Sequence, residues 1–194
     1  TSFRLFDPYM RSQMRAFLVF LDVWVTPAVR IPSFQFGGLL RKFSAMSDEN
    51  FSGLVERRPL KAEFYRSFDK DKGFSEAQIF ESFCVISRIT KRMEEMLRKF
   101  GGPWLMGNTY SLADIAVLPL IDRMQDLGLD GLWSDSYPSV SNWLLKAQQR
   151  PASIKSYVKD SRLSEQFPDL VRRAGSLSEW TNTYNKYIVS NKAH

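Results

Sequence analysis

Gly102-Pro-Trp-Leu-Met-Gly-Asn-Thr-Tyr-Ser-Leu-Ala-Asp-Ile-Ala-Val-Leu-Pro119 decides the fold. Gly101-Gly102-Pro103 stops the helix before it, because glycine admits the left-handed turn at a helix end and proline cannot continue the ladder. Tyr110-Ser111-Leu112-Ala113-Asp114-Ile115 then starts a new helix. Ser111 is its N-cap, Asp114 three residues on can accept from the Ser111 amide, and Tyr110 pairs with Ile115 as a hydrophobic staple. This helix is predicted to run to about Leu127, before Gly128.

Upstream, Phe74-Ser75-Glu76-Ala77-Gln78-Ile79 repeats the device, with Ser75 and Gln78 as the capping box and Phe74 and Ile79 as the staple. Ile79, Phe83, Ile86, Thr90, Met93 and Leu97 follow on one helical stripe, with most charges on the other faces. The first long element opens at Asp7-Pro8, an N-cap followed by proline at the first position. Met10, Met14, Phe17, Leu21, Trp24 and Ala28 recur every three or four residues, so one face is buried. Phe20, Val23 and Val25 add a second apolar surface, and Thr26-Pro27 is expected to bend or end the helix.

From Ile31 to Lys72 the pattern weakens. An irregular connection with one or two short helices is expected there, one from Ser47 to Arg57. Downstream, Tyr137-Pro138 opens a helix through Trp143 to Gln149, and Arg150-Pro151 opens a short one to about Asp160. A polar connection follows, and Ser176 to Glu179 caps a last helix bearing Trp180, Tyr184 and Ile188. No stretch alternates as a strand does, so the chain is read as all-α, a helical bundle, with one domain over residues 1–160 and a connection plus tail over 161–194.

Composition narrows the chemistry. The 194 residues are 44% hydrophobic and 14% aromatic, which supplies a core. The only histidine is His194, which argues against a Ser-His-Asp triad, a Cys-His pair and a histidine zinc site inside the fold. Cys84 is the single cysteine, so neither an internal disulfide nor a multi-thiolate metal site can form, and no metal site is expected. It fits a cytoplasmic or another reducing compartment, and it reads as a packed thiol with no charge beside it to activate it. The apolar run Ala16 to Val29 holds 14 residues and Asp22, short of the roughly 20 that a membrane span needs. It reads as a core helix, with no span.

The net charge of +6 does not form runs of one sign. From Arg150 onward there are eight basic and four acidic residues, including Arg172, Arg173 and Lys186; a solvated face explains this, and a partner patch is the alternative. No nucleic-acid partner is expected. Asp69-Lys-Asp-Lys-Gly73 resembles a calcium loop faintly, but its glycine and the acid at Glu81 fall at the wrong positions, so it reads as an exposed turn. Glu94-Glu95 reads as a solvated pair on a charged face.

The 102–119 segment, with Leu105, Gly107, Ser111 and Asp114, resembles the signature of the glutathione-transferase C-terminal domain. Tyr137-Pro138 to Trp143 and Arg150-Pro151 resemble that family's later pattern, and Asp7 to Arg15 resembles its first C-domain helix. The Leu127-Gly-Leu-Asp-Gly-Leu-Trp133 step resembles the bacterial β-etherase and reductive-dehalogenase branch. The resemblance implies a thioredoxin-like N-terminal domain, absent from this sequence, that binds glutathione and activates its thiol. It also implies a dimer surface. The chain opens on Thr1 and is expected to be one part of a longer or processed product. On that resemblance Trp24, Ala28 and Ile31 line an apolar substrate pocket, with Phe34 and Phe36 nearby, and no catalytic residue is carried over. Ser111, Asp114, Ser75 and Gln78 are capping residues. The implied function is to hold an apolar electrophile or aryl ether that glutathione attacks, and a transferase results only together with the missing domain. The alternative is a non-catalytic docking module in a larger assembly.

Overall fold

The computed structural model describes residues 7–169. The expected last helix, the basic residues Arg172, Arg173 and Lys186, and His194 lie outside them. Among the described residues there is no strand, only three isolated bridge pairs, and the elements are helices.

Asp7 caps the first helix, its carboxylate accepting from the Tyr9 amide at 2.9 Å. α1 (Pro8–Phe20) passes without a break through a π turn (Leu21–Val25) into α2 (Thr26–Gln35). Of the two outcomes expected at Thr26-Pro27, a bend or an end, the end does not occur. The Thr26 amide reaches five residues back, to the Leu21 carbonyl. That wider turn takes up the register where Pro27 has no N–H to give. The extra residue also rotates the buried stripe: Met14, Phe17, Leu21, Val25 and Ala28 are buried, while Trp24, on the expected stripe, is 55% exposed.

The helical run is thus 28 residues long, not the 14 of its apolar centre. With a mean hydropathy reaching 1.4, it is long and apolar enough by length and composition to cross a membrane. Its buried side packs on two later helices, α6 (Glu76–Phe100) and α7 (Leu112–Asp126). Its other side leaves Val19, Val23 and Trp24 exposed.

The connection after α2 is more regular than expected. It forms α3 (Leu39–Ser44), α4 (Asp48–Glu56) and α5 (Ala62–Arg66), helices too short for periodicity to reveal them all. What organises them is a cluster of rings. Phe34, Phe43, Phe51, Phe64, Tyr65, Phe68 and Phe74 lie within 4.8–6.5 Å of one another in successive pairs.

α6 starts as its sequence requires. The Ser75 hydroxyl accepts from the Gln78 amide, and Gln78 Oε1 accepts from the Ser75 amide at 2.9 Å. All six residues of its stripe are buried. Gly101, at φ 64°, ends it.

α7 opens at the second capping box, where Asp114 Oδ2 accepts from the Ser111 amide at 2.9 Å. Ile115 is 39% exposed, and Tyr110 lies edge-on to Trp104. After Gly128 and a short turn, Trp133 is buried, and α8 (Pro138–Gln148) buries Trp143. α9 (Pro151–Ser156) ends four residues earlier than expected, because the chain then turns back onto α7. There Arg162, Leu163 and Ser164, at the start of α10 (Leu163–Gln166), all bond Asp126.

Glu94 corrects another expectation. It is not solvated: Oε2 accepts from the Val140 amide at 3.2 Å, and Oε1 from the Ser139 hydroxyl and Arg98 Nε, each at 2.9 Å. The Tyr137 side chain at the N-cap of α8 makes no capping hydrogen bond, so a carboxylate from α6 supplies the acceptor for its first turn.

Asp126 fastens the segment after α9. Burial pushes its carboxyl up, but the Ser164 hydroxyl, the Leu163 amide, Arg162 and Arg123 outweigh burial and hold it below its ordinary value of 3.8. A carboxyl lowered by folding stabilises the fold above its unfolded value and stops doing so as pH falls through the folded one. Hydrogen-exchange protection of the Leu163 amide is therefore expected to hold from neutral pH down to about pH 4 and to fall below that. Unchanged protection well below pH 3 would contradict it.

Candidate substrate pocket

The π turn and α2 turn Val23, Trp24, Pro27, Ala28 and Ile31 toward the first half of α6. Together with Phe64, Phe74 and Val85 they enclose a cavity of about 360 Å³. That is within the range of small-molecule sites, as is its mostly apolar lining. Three residues expected here, Trp24, Ala28 and Ile31, meet on this one wall. Trp24 offers an exposed indole because the π turn has rotated it out of the core. Ala28 forms part of the floor, with its carbonyl accepting from Ser82 Oγ at 2.8 Å.

Phe34 and Phe36, expected near the pocket, are not among the residues that line this wall. Phe34 sits behind it in the ring cluster, 5.0 Å from Phe64 and nearly perpendicular to it. Phe36 is buried and stacked on Phe83 at 6.4 Å. Both follow the bend in the chain, where apolar side chains fill the space under α3–α5 before they reach a surface. Phe64, Phe74 and Val85 were missed as wall residues. Phe74 was legible only as a staple, and Phe64 carries no signal beyond being aromatic.

The polar groups of the wall are mostly spoken for. Ser67 Oγ donates to the Phe64 carbonyl at 2.7 Å, and Gln78 Nε2 donates to the Ser67 carbonyl at 2.9 Å. Ser82 is held by Ala28. Glu81 is the one charged residue on the wall, and its carboxylate makes no hydrogen bond or ion pair among the described residues. The cavity thus offers an apolar slot, an indole face and one free acceptor. It suits a neutral aromatic molecule carrying a hydrogen-bond donor and disfavours an anion.

Glutathione, with two carboxylates, does not fit this wall, where among the described residues the one charge is negative and no lining residue is a cation. Cys84, one residue from Val85, is half-buried; burial pushes its thiol up, Arg88 draws it down and Glu81 adds to the rise. The net rise keeps it a thiol.

These features stand in a chain whose residues 57–161 match the family model described as glutathione S-transferase, C-terminal domain. The match covers just over half of the sequence, and the chain belongs to that family. Among its relatives is Protein LigF of Sphingobium sp. (strain NBRC 103272 / SYK-6), 27% identical over 178 residues, or 89% of this chain and 65% of LigF. The crystal structure of beta-etherase LigF from Sphingobium sp. strain SYK-6 matches with a TM-score of 0.66 and 26% identity, over 80% of this chain and 64% of that one. Disulfide-bond oxidoreductase YfcG of Escherichia coli (strain K12) is 35% identical over 72 residues, 36% of this chain and 32% of its own length. This chain therefore spans 65% of the length of LigF. The likeness reaches the expected branch, and the all-helical C-terminal fold is the one described above.

Proposed function

We propose that this chain is the acceptor-binding half of a glutathione-transferase-type protein. In this reading it holds a neutral aryl ether or similar apolar electrophile, while a thioredoxin-like domain brings glutathione. The observation that carries the reading is the meeting of Trp24, Ala28 and Ile31 on one apolar cavity. The likeness to beta-etherase LigF supports an aryl ether as the molecule held. The same helical run exposes Val19, Val23 and Trp24, which supports a further domain or a second copy lying against it. The free thiol of Cys84 supports a reducing compartment.

Isothermal titration with 4-phenoxyphenol, a neutral aryl ether bearing a donor, tests the reading. Binding to this chain is expected, and Trp24→Ala is expected to weaken it about tenfold by removing the indole face. Trp24 is exposed, so the variant keeps the fold. Equal affinity in the two proteins, or none in either, would contradict the assignment.

A further inference from the structure

A second cavity, of about 500 Å³, lies between α7 and the segment from Arg150 to Arg162, and it shares no lining residue with the first. Its acidic groups are answered from within. Arg162 Nε lies 3.1 Å from Asp126 and its Nη1 3.4 Å from Asp122, while Arg123 lies 3.1 Å from the other Asp126 oxygen. Tyr157, pushed up to about 12 by burial and by its hydrogen bond to Asp122, stays a neutral phenol there.

Arg150 is the cation left over. Its guanidinium carbon lies over the Tyr110 ring, 3.7 Å from the ring centroid, and 5.5 Å from that of Trp104. Among the described residues that guanidinium makes no hydrogen bond and no ion pair. The nearby Asp114 cannot serve it, since its oxygens are taken by Leu105, Ser111 and Trp143. A half-buried guanidinium with five donors and, among the described residues, ring faces as its neighbours is matched by a planar anion.

A second observation points the same way. On the same wall Ser161 Oγ is buried and, among the described residues, has no hydrogen-bond partner. Ile115, Leu118 and Pro119 give the cavity an apolar side. Guanidinium, orphan hydroxyl and apolar side describe a ligand with one anionic end and a flat apolar body.

We propose that this cavity is a second binding site, for an aromatic monocarboxylate, with the carboxylate held by Arg150 and the ring along Ile115, Leu118 and Pro119. Ser161 supplies a hydrogen bond to a polar substituent of the ligand. The site selects for the charge that the first cavity disfavours, so the two take different molecules.

Titration with 2-naphthoate and with its neutral analogue 2-naphthamide tests this. Naphthoate is expected to bind about tenfold tighter than naphthamide, the usual advantage of a charge-assisted pair. Arg150→Gln should abolish that preference and Arg150→Lys should keep part of it, while Trp24→Ala leaves naphthoate binding unchanged. Circular dichroism of both Arg150 variants shows that they are folded, and retained charge in the lysine variant separates recognition from packing on Tyr110. Equal binding of the two probes, no binding of naphthoate at millimolar concentration, or a preference that survives in folded Arg150→Gln would overturn the proposal.

Discussion

Asp114→Ala is expected to destabilise the chain by about 3–5 kcal/mol, the cost of leaving several buried donors without an acceptor. Asp114 is fully buried. One of its oxygens accepts from the Leu105 amide at 2.9 Å and Trp143 Nε1 at 2.8 Å, and the other from the Ser111 amide and hydroxyl at 2.9 Å. Leu105, Ser111 and Trp143 are themselves buried, so water cannot replace what the carboxylate provides. The residue thus ties three pieces together: the turn before α7, the cap of α7 and the indole of α8. Domains of this size have about 5–15 kcal/mol in hand, so the variant should sit near the edge of folding. Asp114→Asn keeps the volume and one acceptor, and should lose less. Urea unfolding of the two variants reads both numbers, and a loss under about 1 kcal/mol for the alanine, the cost of an ordinary cap, would show that the buried network carries no weight.

Gly102→Ala is the second large effect. A Cβ at Gly102 would stand 2.1 Å from both the carbonyl carbon and oxygen of Gly107, atoms of the backbone that no rotamer can move aside. Gly107 closes a tight turn with Trp104 through two hydrogen bonds of 3.1 Å, so shifting it drags Leu105 away from Asp114. A loss of about 2–4 kcal/mol is expected, in the range of other overpacked sites. Gly101→Ala is the control: its Cβ would meet nothing within 4 Å, and only its φ of +64° resists a side chain. That should cost about 1 kcal/mol. Should thermal or urea unfolding find the two variants equally stable, the close approach of Gly102 to Gly107 is not what holds this turn.

Both effects fall inside the 102–119 segment, and both concern folding. This is why the segment was informative in sequence. Capping boxes and helix-ending glycines act over three to five residues, so their chemistry can be read locally, as at Ser75–Gln78 and Ser111–Asp114. The stripe of α6 was legible for the same reason. What was hidden depends on partners far along the chain. Glu94 looks solvated beside Glu95 until α8, 45 residues on, presents Ser139 and Val140 to it. Arg162 was one of several basic residues until the chain folded back on Asp122 and Asp126.

The pocket was half legible. Trp24, Ala28 and Ile31 came from the resemblance and share a wall. Phe34 and Phe36 went into packing, since an aromatic residue off the helical pattern has no local feature that tells a wall from a core. The π turn was invisible, yet it sets which residues face the cavity. It moves Trp24 out of the buried stripe and puts Val25 in its place. Pro27 marks where such a turn is useful but does not announce it.

The most direct test of the central claim is a methyl and indole NMR titration of this chain with 4-phenoxyphenol. If this chain holds the acceptor between α2 and α6, the largest shifts fall on Val23, Ala28, Ile31 and Val85 methyls and on the Trp24 indole. Shifts that leave those signals in place and gather at Ile115 and Leu118 instead, or nowhere, would contradict it.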